Sequence, residues 1–123
     1  MNLKIKLCGI KNKESVIAAK DADYIGLVFY QKSPRFINAF EAKKLRSFMK
    51  SYQKLVGLFV NADLNLLYYL NDFLSLDLIQ LHGEEDINYI KKIKKLGKPI
   101  IKAIPVKNSL DILKAKKYEN YCD

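Results

Sequence analysis

Apolar residues fall along the chain in five short, nearly unbroken runs, at residues 4–7, 24–29, 55–60, 78–81 and 100–104. Continuous runs of this length, without strict alternation, predict parallel β-strands covered on both faces. The segments between them carry helical spacing instead. Ala42, Leu45, Met49 and Tyr52 recur at i, i+3, i+7 and i+10, and Leu67, Leu70 and Leu74 at i, i+3 and i+7. Each set makes an apolar stripe along one helix face. Asn38 with Glu41 three residues on is a capping-box-like start. The fourth helix is expected to open with Glu84, Glu85 and Asp86 in its first turn and to close with Lys94 and Lys95, a charge order that suits the helix dipole. Gly97 and Pro99 then stop it. A last short helix begins near Ser109.

Strand, helix, strand, with connections long enough for right-handed crossovers, predicts a parallel α/β sheet. Two architectures use such units. A flavodoxin-like open sheet is complete with five of them, whereas a (β/α)8 barrel needs eight and typically about 250 residues. Counting units favours the open sheet. Strand order separates the two: 2-1-3-4-5 with helices on both faces for the open sheet, 1-2-3-4-5 with every helix outside for an arc of barrel. No linker or low-complexity segment divides residues 1–123, so one domain is expected.

Composition narrows the setting. Half of the 123 residues are hydrophobic and 28% are charged, enough apolar surface for a folded core. No apolar stretch approaches the roughly 18 residues of a membrane span. The first six residues alternate lysine with apolar side chains, unlike a secretory signal. Cys8 and Cys122 are too few for a disulfide scaffold. A cytoplasmic globular chain is the expectation. The 22 basic and 13 acidic residues give a net charge of +9, and Arg35 and Arg46 are the only arginines. Solvated lysine-rich helix faces account for such a balance, as does attraction of an anionic substrate. No zinc spacing or RNA-recognition signature accompanies it, so nucleic acid is not an expected partner.

In either fold, function sits where strands end and helices begin. The first strand ends in Lys6-Leu7-Cys8-Gly9-Ile10; Cys8 is read either as a small buried hydrophobe or as a reactive thiol at the sheet mouth. After the second strand comes Ser33-Pro34-Arg35. The planar fork of Arg35 suits carboxylate or phosphate, and a surface ion pair is the alternative. The fourth strand ends in Gln80-Leu81-His82-Gly83-Glu84, placing the single histidine at the same face as a proton-transfer or hydrogen-bonding group. One histidine with scattered acids supplies no metal cluster.

Taken in order, Lys-Leu-Cys-Gly-Ile at 6–10, Ala-Asp-Tyr-Ile-Gly-Leu-Val-Phe at 22–29, Ser-Pro-Arg at 33–35, Val-Gly-Leu-Phe-Val-Asn at 56–61 and Gln-Leu-His-Gly-Glu at 80–84 resemble the phosphoribosylanthranilate isomerase family. Leu7 and Lys11 depart from residues common there. The resemblance implies a (β/α)8 barrel, a fold of about 200 residues or more, of which this chain would hold the first five units. It implies an Amadori rearrangement in tryptophan biosynthesis on a small anionic substrate carrying carboxylate and phosphate, with no metal or organic cofactor. By the same resemblance Cys8 is the general base, Arg35 clamps the anthranilate carboxylate, and His82, backed by Gln80, lines the substrate pocket. The family's general acid, an aspartate ending the sixth strand, is not expected within these residues. Asp123 would fall near the start of that strand, away from the chemistry. The phosphate-holding loops would lie beyond it too. Without that acid and those loops, these residues taken alone are expected to be inactive, and the unpaired edges at the first and fifth strands are expected to leave them poorly soluble, self-associating or only partly folded.

Overall fold

The five strands pair side by side in chain order, all parallel. The computed structural model describes residues 2–123. Its elements are β1 (Lys6–Cys8), α1 (Lys13–Ala18), β2 (Tyr24–Val28), α2 (Ala39–Arg46), β3 (Lys54–Phe59), α3 (Leu64–Leu74), β4 (Leu78–Leu81), α4 (Ile87–Lys94), β5 (Ile100–Lys102) and α5 (Ser109–Lys116).

Directly paired residues of a parallel sheet point to the same face, so register sorts every strand residue. Ile25 pairs with Leu55, Leu27 with Gly57, then Ile79 and Ile100. These side chains share one buried cluster with Val16, Ala42, Leu45, Leu67, Leu70, Ile90 and Ile93. The buried faces of α1–α4 therefore all lie on one side of the sheet. The alternate residues form the opposite face: Cys8 pairs with Gly26, and Val28, Leu58, Gln80 and Ile101 align across four strands. Strand order 1-2-3-4-5 with helices on one side is an arc of a (β/α)8 barrel. The open-sheet order favoured by unit counting is not what forms.

Three aspartates set the register at the starts of alternate strands. Asp23 donates its N–H to the Ile5 carbonyl and accepts the Ile5 N–H at 2.8 Å. Asp77 does the same with Leu55 (2.9 and 2.7 Å), and Asp123 with Ile100 (2.8 and 3.0 Å). Each carboxylate thus satisfies a backbone donor at the edge of the ladder.

Several boundaries differ from those expected. β1 sits two residues later at its start, β3 is shifted one residue back, and β5 stops at Lys102. α2 ends at Arg46 because Ser47, Phe48 and Met49 donate to carbonyls three residues back, a tighter winding after which Met49 still packs against the core but Tyr52 lies exposed. Asn38 accepts the Glu41 N–H at 2.9 Å, but the full reciprocal box forms at Asn108–Asp111. There the backbone N–H groups of Lys107 and Asn108 hold the Asp111 carboxyl below its ordinary range. α4 begins at Ile87 with Asp86 as its cap, so Glu84 and Glu85 belong to the preceding loop. Its end is as expected, with Gly97 at φ +72°.

The two sheet edges carry exposed apolar side chains. Leu3, Ile5, Leu7 and Ile17 lie exposed near β1, and Val106, Leu110, Ile112 and Leu113 around α5, which buries none of its residues. Among the described residues, no helix is long and apolar enough to cross a membrane.

Candidate active site

Cys8 closes β1 half-buried, and the chain turns sharply after it. Gly9 adopts φ +83°, a left-handed conformation that disfavours any side chain, while its N–H donates to the Gly26 carbonyl at 2.9 Å. The thiol needs room on the next strand. A Cβ at Gly26 would stand 3.1 Å from Cys8 Cα and 3.2 Å from its Sγ, closer than ordinary packing, so the glycine on β2 makes the pocket in which Cys8 sits.

The loop after β2 folds back over this turn. Ser33 donates its N–H to Tyr30 O at 2.9 Å, and Phe36 to Ser33 O at 3.1 Å. The Ser33 hydroxyl accepts the Arg35 N–H at 3.1 Å, and the Lys11 ammonium donates to Pro34 O at 3.2 Å. Arg35 consequently lies across Gly9. A Cβ there would collide with Arg35 Cδ and come within 3.2 Å of its Nε. The two glycines thus have separate tasks, one admitting the thiol and the other the guanidinium arm.

Gln80 is buried on β4, and its Oε1 accepts the Lys6 ammonium at 2.7 Å. His82 follows β4, held by its N–H to Phe59 O at 2.9 Å. Cys8, Arg35, Gln80 and His82 all line one cavity of about 580 Å³, with Lys6, Tyr30 and Ser33 among the further polar walls. The volume is that of a small-molecule site.

Lys6, Tyr30 and Ser33 were not singled out from the sequence as site residues. A signal for Lys6 was present: Lys6 and Cys8, like Gln80 and His82, are polar residues two apart in otherwise apolar strands, hence on the same face. Asp123 is at the start of β5, the opposite end of the sheet from Cys8. Cys122, packed against the helix-side core, has its thiol pushed up by burial, with Lys94 and Lys102 opposing. Among the described residues, no group of three or more histidine, cysteine or acidic side chains is placed to hold a metal ion.

A chain-ordered parallel arc, helices on one side and a polar cavity at the strands' C-terminal ends, is the design of barrel enzymes. The comparisons with known proteins make the assignment specific. The profile of N-(5'-phosphoribosyl)anthranilate (PRA) isomerase matches residues 5–123. Isomerases of that name from Rhodospirillum centenum and Agrobacterium fabrum are 36% and 33% identical over the whole chain. A crystal structure of phosphoribosyl anthranilate isomerase in complex with reduced 1-(o-carboxyphenylamino)-1-deoxyribulose 5-phosphate superposes with a TM-score of 0.90 at 33% identity, covering 98% of this chain and 62% of that one. The Thermotoga maritima enzyme gives a TM-score of 0.90, with 98% and 59% covered. The chain belongs to the N-(5'-phosphoribosyl)anthranilate isomerase family. It spans 59% and 57% of the length of the two curated relatives.

Proposed function

We propose that residues 1–123 form the first five βα units of a cytoplasmic (β/α)8 barrel that converts N-(5'-phosphoribosyl)anthranilate to 1-(2-carboxyphenylamino)-1-deoxyribulose 5-phosphate in tryptophan biosynthesis. The observation that carries this reading is the meeting of Cys8, Arg35, Gln80 and His82 in one cavity. The molecule held by the structural relative bears, by its name, a carboxylate and a phosphate.

In the rearrangement, protonation of the furanose ring oxygen opens the ring and leaves an iminium at C1'. The iminium acidifies the C2' proton. Cys8 removes that proton to give an enolamine, which becomes the ketone at C2' when C1' is protonated and the C2' hydroxyl gives up its proton. Arg35 receives the anthranilate carboxylate on its planar fork. His82 lines the substrate pocket, with Gln80 fixed behind it by Lys6. The ring-opening acid and the phosphate cradle belong, on this reading, to the units beyond the fifth.

The test is Cys8→Ala in the chain completed to the length of its relatives, followed by the change in anthranilate fluorescence. Loss of a general base is expected to lower kcat by about 10²–10⁴-fold, with binding of a product analogue kept. Near-normal kcat would remove the thiol from the role. Residues 1–123 alone are expected to be inactive and to associate through the apolar edges around β1 and α5. A monodisperse monomer in sedimentation would contradict that part.

A further inference from the structure

Behind the cavity wall, on the helix side of the sheet, lies a buried ion pair that the reaction as described does not use. Glu85 and Lys102 meet at 3.1 Å with side chains only 1% and 5% exposed. Burying two charges is costly, and an apolar pair of similar size is often as stable. What this pair has that an apolar pair lacks is a set of directed bonds to backbone. Glu85 Oε2 accepts the Asn61 N–H at 2.8 Å, and Oε1 accepts the Gly83 N–H at 2.9 Å. The Lys102 ammonium also donates to the Gly83 carbonyl.

The identity of the two gripped amides matters. Asn61 follows Val60, and Gly83 follows His82, and both Val60 and His82 line the cavity. One carboxylate therefore holds the peptide groups directly behind two adjacent stretches of wall, on the loops after β3 and β4. The two loops are further tied together, since Asn61 Oδ1 accepts the Glu84 N–H at 2.8 Å. They are also packed too closely for a side chain at position 83, where a Cβ would stand 2.7 Å from Asn61 Cγ. Asn61 itself takes a left-handed φ of +49°. Tyr118, beyond α5, donates its hydroxyl to the Glu85 carbonyl at 3.1 Å.

We infer that Glu85 and Lys102 are positioning residues for the substrate cavity, fixing His82 and Val60 through the amides of Gly83 and Asn61. The inference rests on the reading of His82 as a substrate contact. In the completed barrel, Glu85→Gln and Lys102→Met are each expected to raise KM about tenfold while kcat moves less than about threefold. The double variant is expected to be no worse than the weaker single, because the two act as one unit. Lys102→Arg, which keeps the charge, should restore KM to within about threefold of wild type. Amide exchange at Asn61 and Gly83 should accelerate at least about tenfold in Glu85→Gln.

Unchanged KM and unchanged exchange at those two amides, with only a lower Tm, would overturn the inference. If His82→Ala leaves KM untouched, the substrate reading of His82 fails; the exchange measurement still decides whether the clamp exists. Should Glu85→Gln not fold, the wild type answers: its Asn61 and Gly83 amides must exchange at least about a hundredfold slower than that of exposed Lys32. Comparable rates would refute the clamp.

Discussion

Replacing Gly9 by alanine probes two links at once, the turn after Cys8 and the seat of Arg35. The backbone cost comes from φ +83°, where a Cβ crowds the following carbonyl at about 1–2 kcal/mol. The second cost is local. The new methyl occupies the place of Arg35 Cδ and lies 3.3 Å from its Cγ, so the arm must retreat by on the order of 1 Å to regain contacts of about 3.5–4.0 Å. A binding group misplaced by about 1 Å can cost up to about 10²-fold. In a completed barrel of some 200 residues, the backbone term lowers Tm by about 2–8 °C. KM for N-(5'-phosphoribosyl)anthranilate is expected to rise about 10–100-fold, and kcat to change less. A double-mutant cycle isolates the seat from the strain: in an Arg35→Ala background, Gly9→Ala should lower Tm as before but leave KM where Arg35→Ala alone put it. An undiminished KM effect in that background, or an unchanged KM in the single variant, would refute the account of Gly9 as the seat of the guanidinium arm.

Two further predictions concern stability. Asp77→Ala removes the acceptor of the Leu55 N–H at 2.7 Å and the 3.5 Å ion pair with Arg46; an orphaned donor at the start of a buried strand costs about 1–3 kcal/mol, and urea unfolding with no loss would show the carboxylate idle. Tyr89 donates its hydroxyl to Ala62 O at 2.7 Å, and burial, with the Glu85 charge adding, pushes its pKa up to about 12. A raised folded pKa means the stabilisation is whole below pH about 10 and is lost as pH climbs towards 12. The group is only partly buried, so the alkaline loss is on the order of 1 kcal/mol after screening. Tyr89→Phe should flatten the fall in stability between pH 10 and 12 relative to wild type, and parallel pH curves would contradict the assignment.

The strands, the helix order and the site motifs were legible because they depend on local pattern. Residues 24–29 and 78–81 read as buried strands, and Cys8, Gln80 and His82 fall at the ends of strands, with Arg35 in the loop after the second, whatever the sheet's curvature. Barrel or open sheet was not legible from pattern, because five βα units satisfy both; only the ordered motifs pointed to the barrel, and strand order then decided. Glu85 was misplaced for a physical reason. Acidic residues before a helix suit its dipole, and nothing local distinguishes Glu85 from Glu84. Its true partner, Lys102, is 17 residues away on the next strand. The register-setting aspartates were missed likewise, since Asp23 and Ile5, or Asp77 and Leu55, meet only across the sheet.

Register also explains why the site and its support carry opposite parity. Gln80 and His82 face the cavity with Leu58 and Val28, whereas Leu81 aligns with Phe59 and Lys102 on the helix side. A polar side chain on the cavity face can meet solvent or substrate, so Lys6, Cys8 and Gln80 need few protein partners there. A polar side chain on the helix side enters a layer of leucine, isoleucine and phenylalanine, where an unpaired charge is costly. Lys102 is tolerated there because Glu85 meets it, and Glu85 is tolerated because two backbone amides and an ammonium converge on its oxygens. The same requirement ties the loops after β3 and β4 to β5. A change that neutralises one member while leaving the other buried should therefore be felt at His82, on the far side of the sheet, before it is felt at Cys8 or Arg35, whose seats are built from Gly26 and Gly9 on the strands nearest β1.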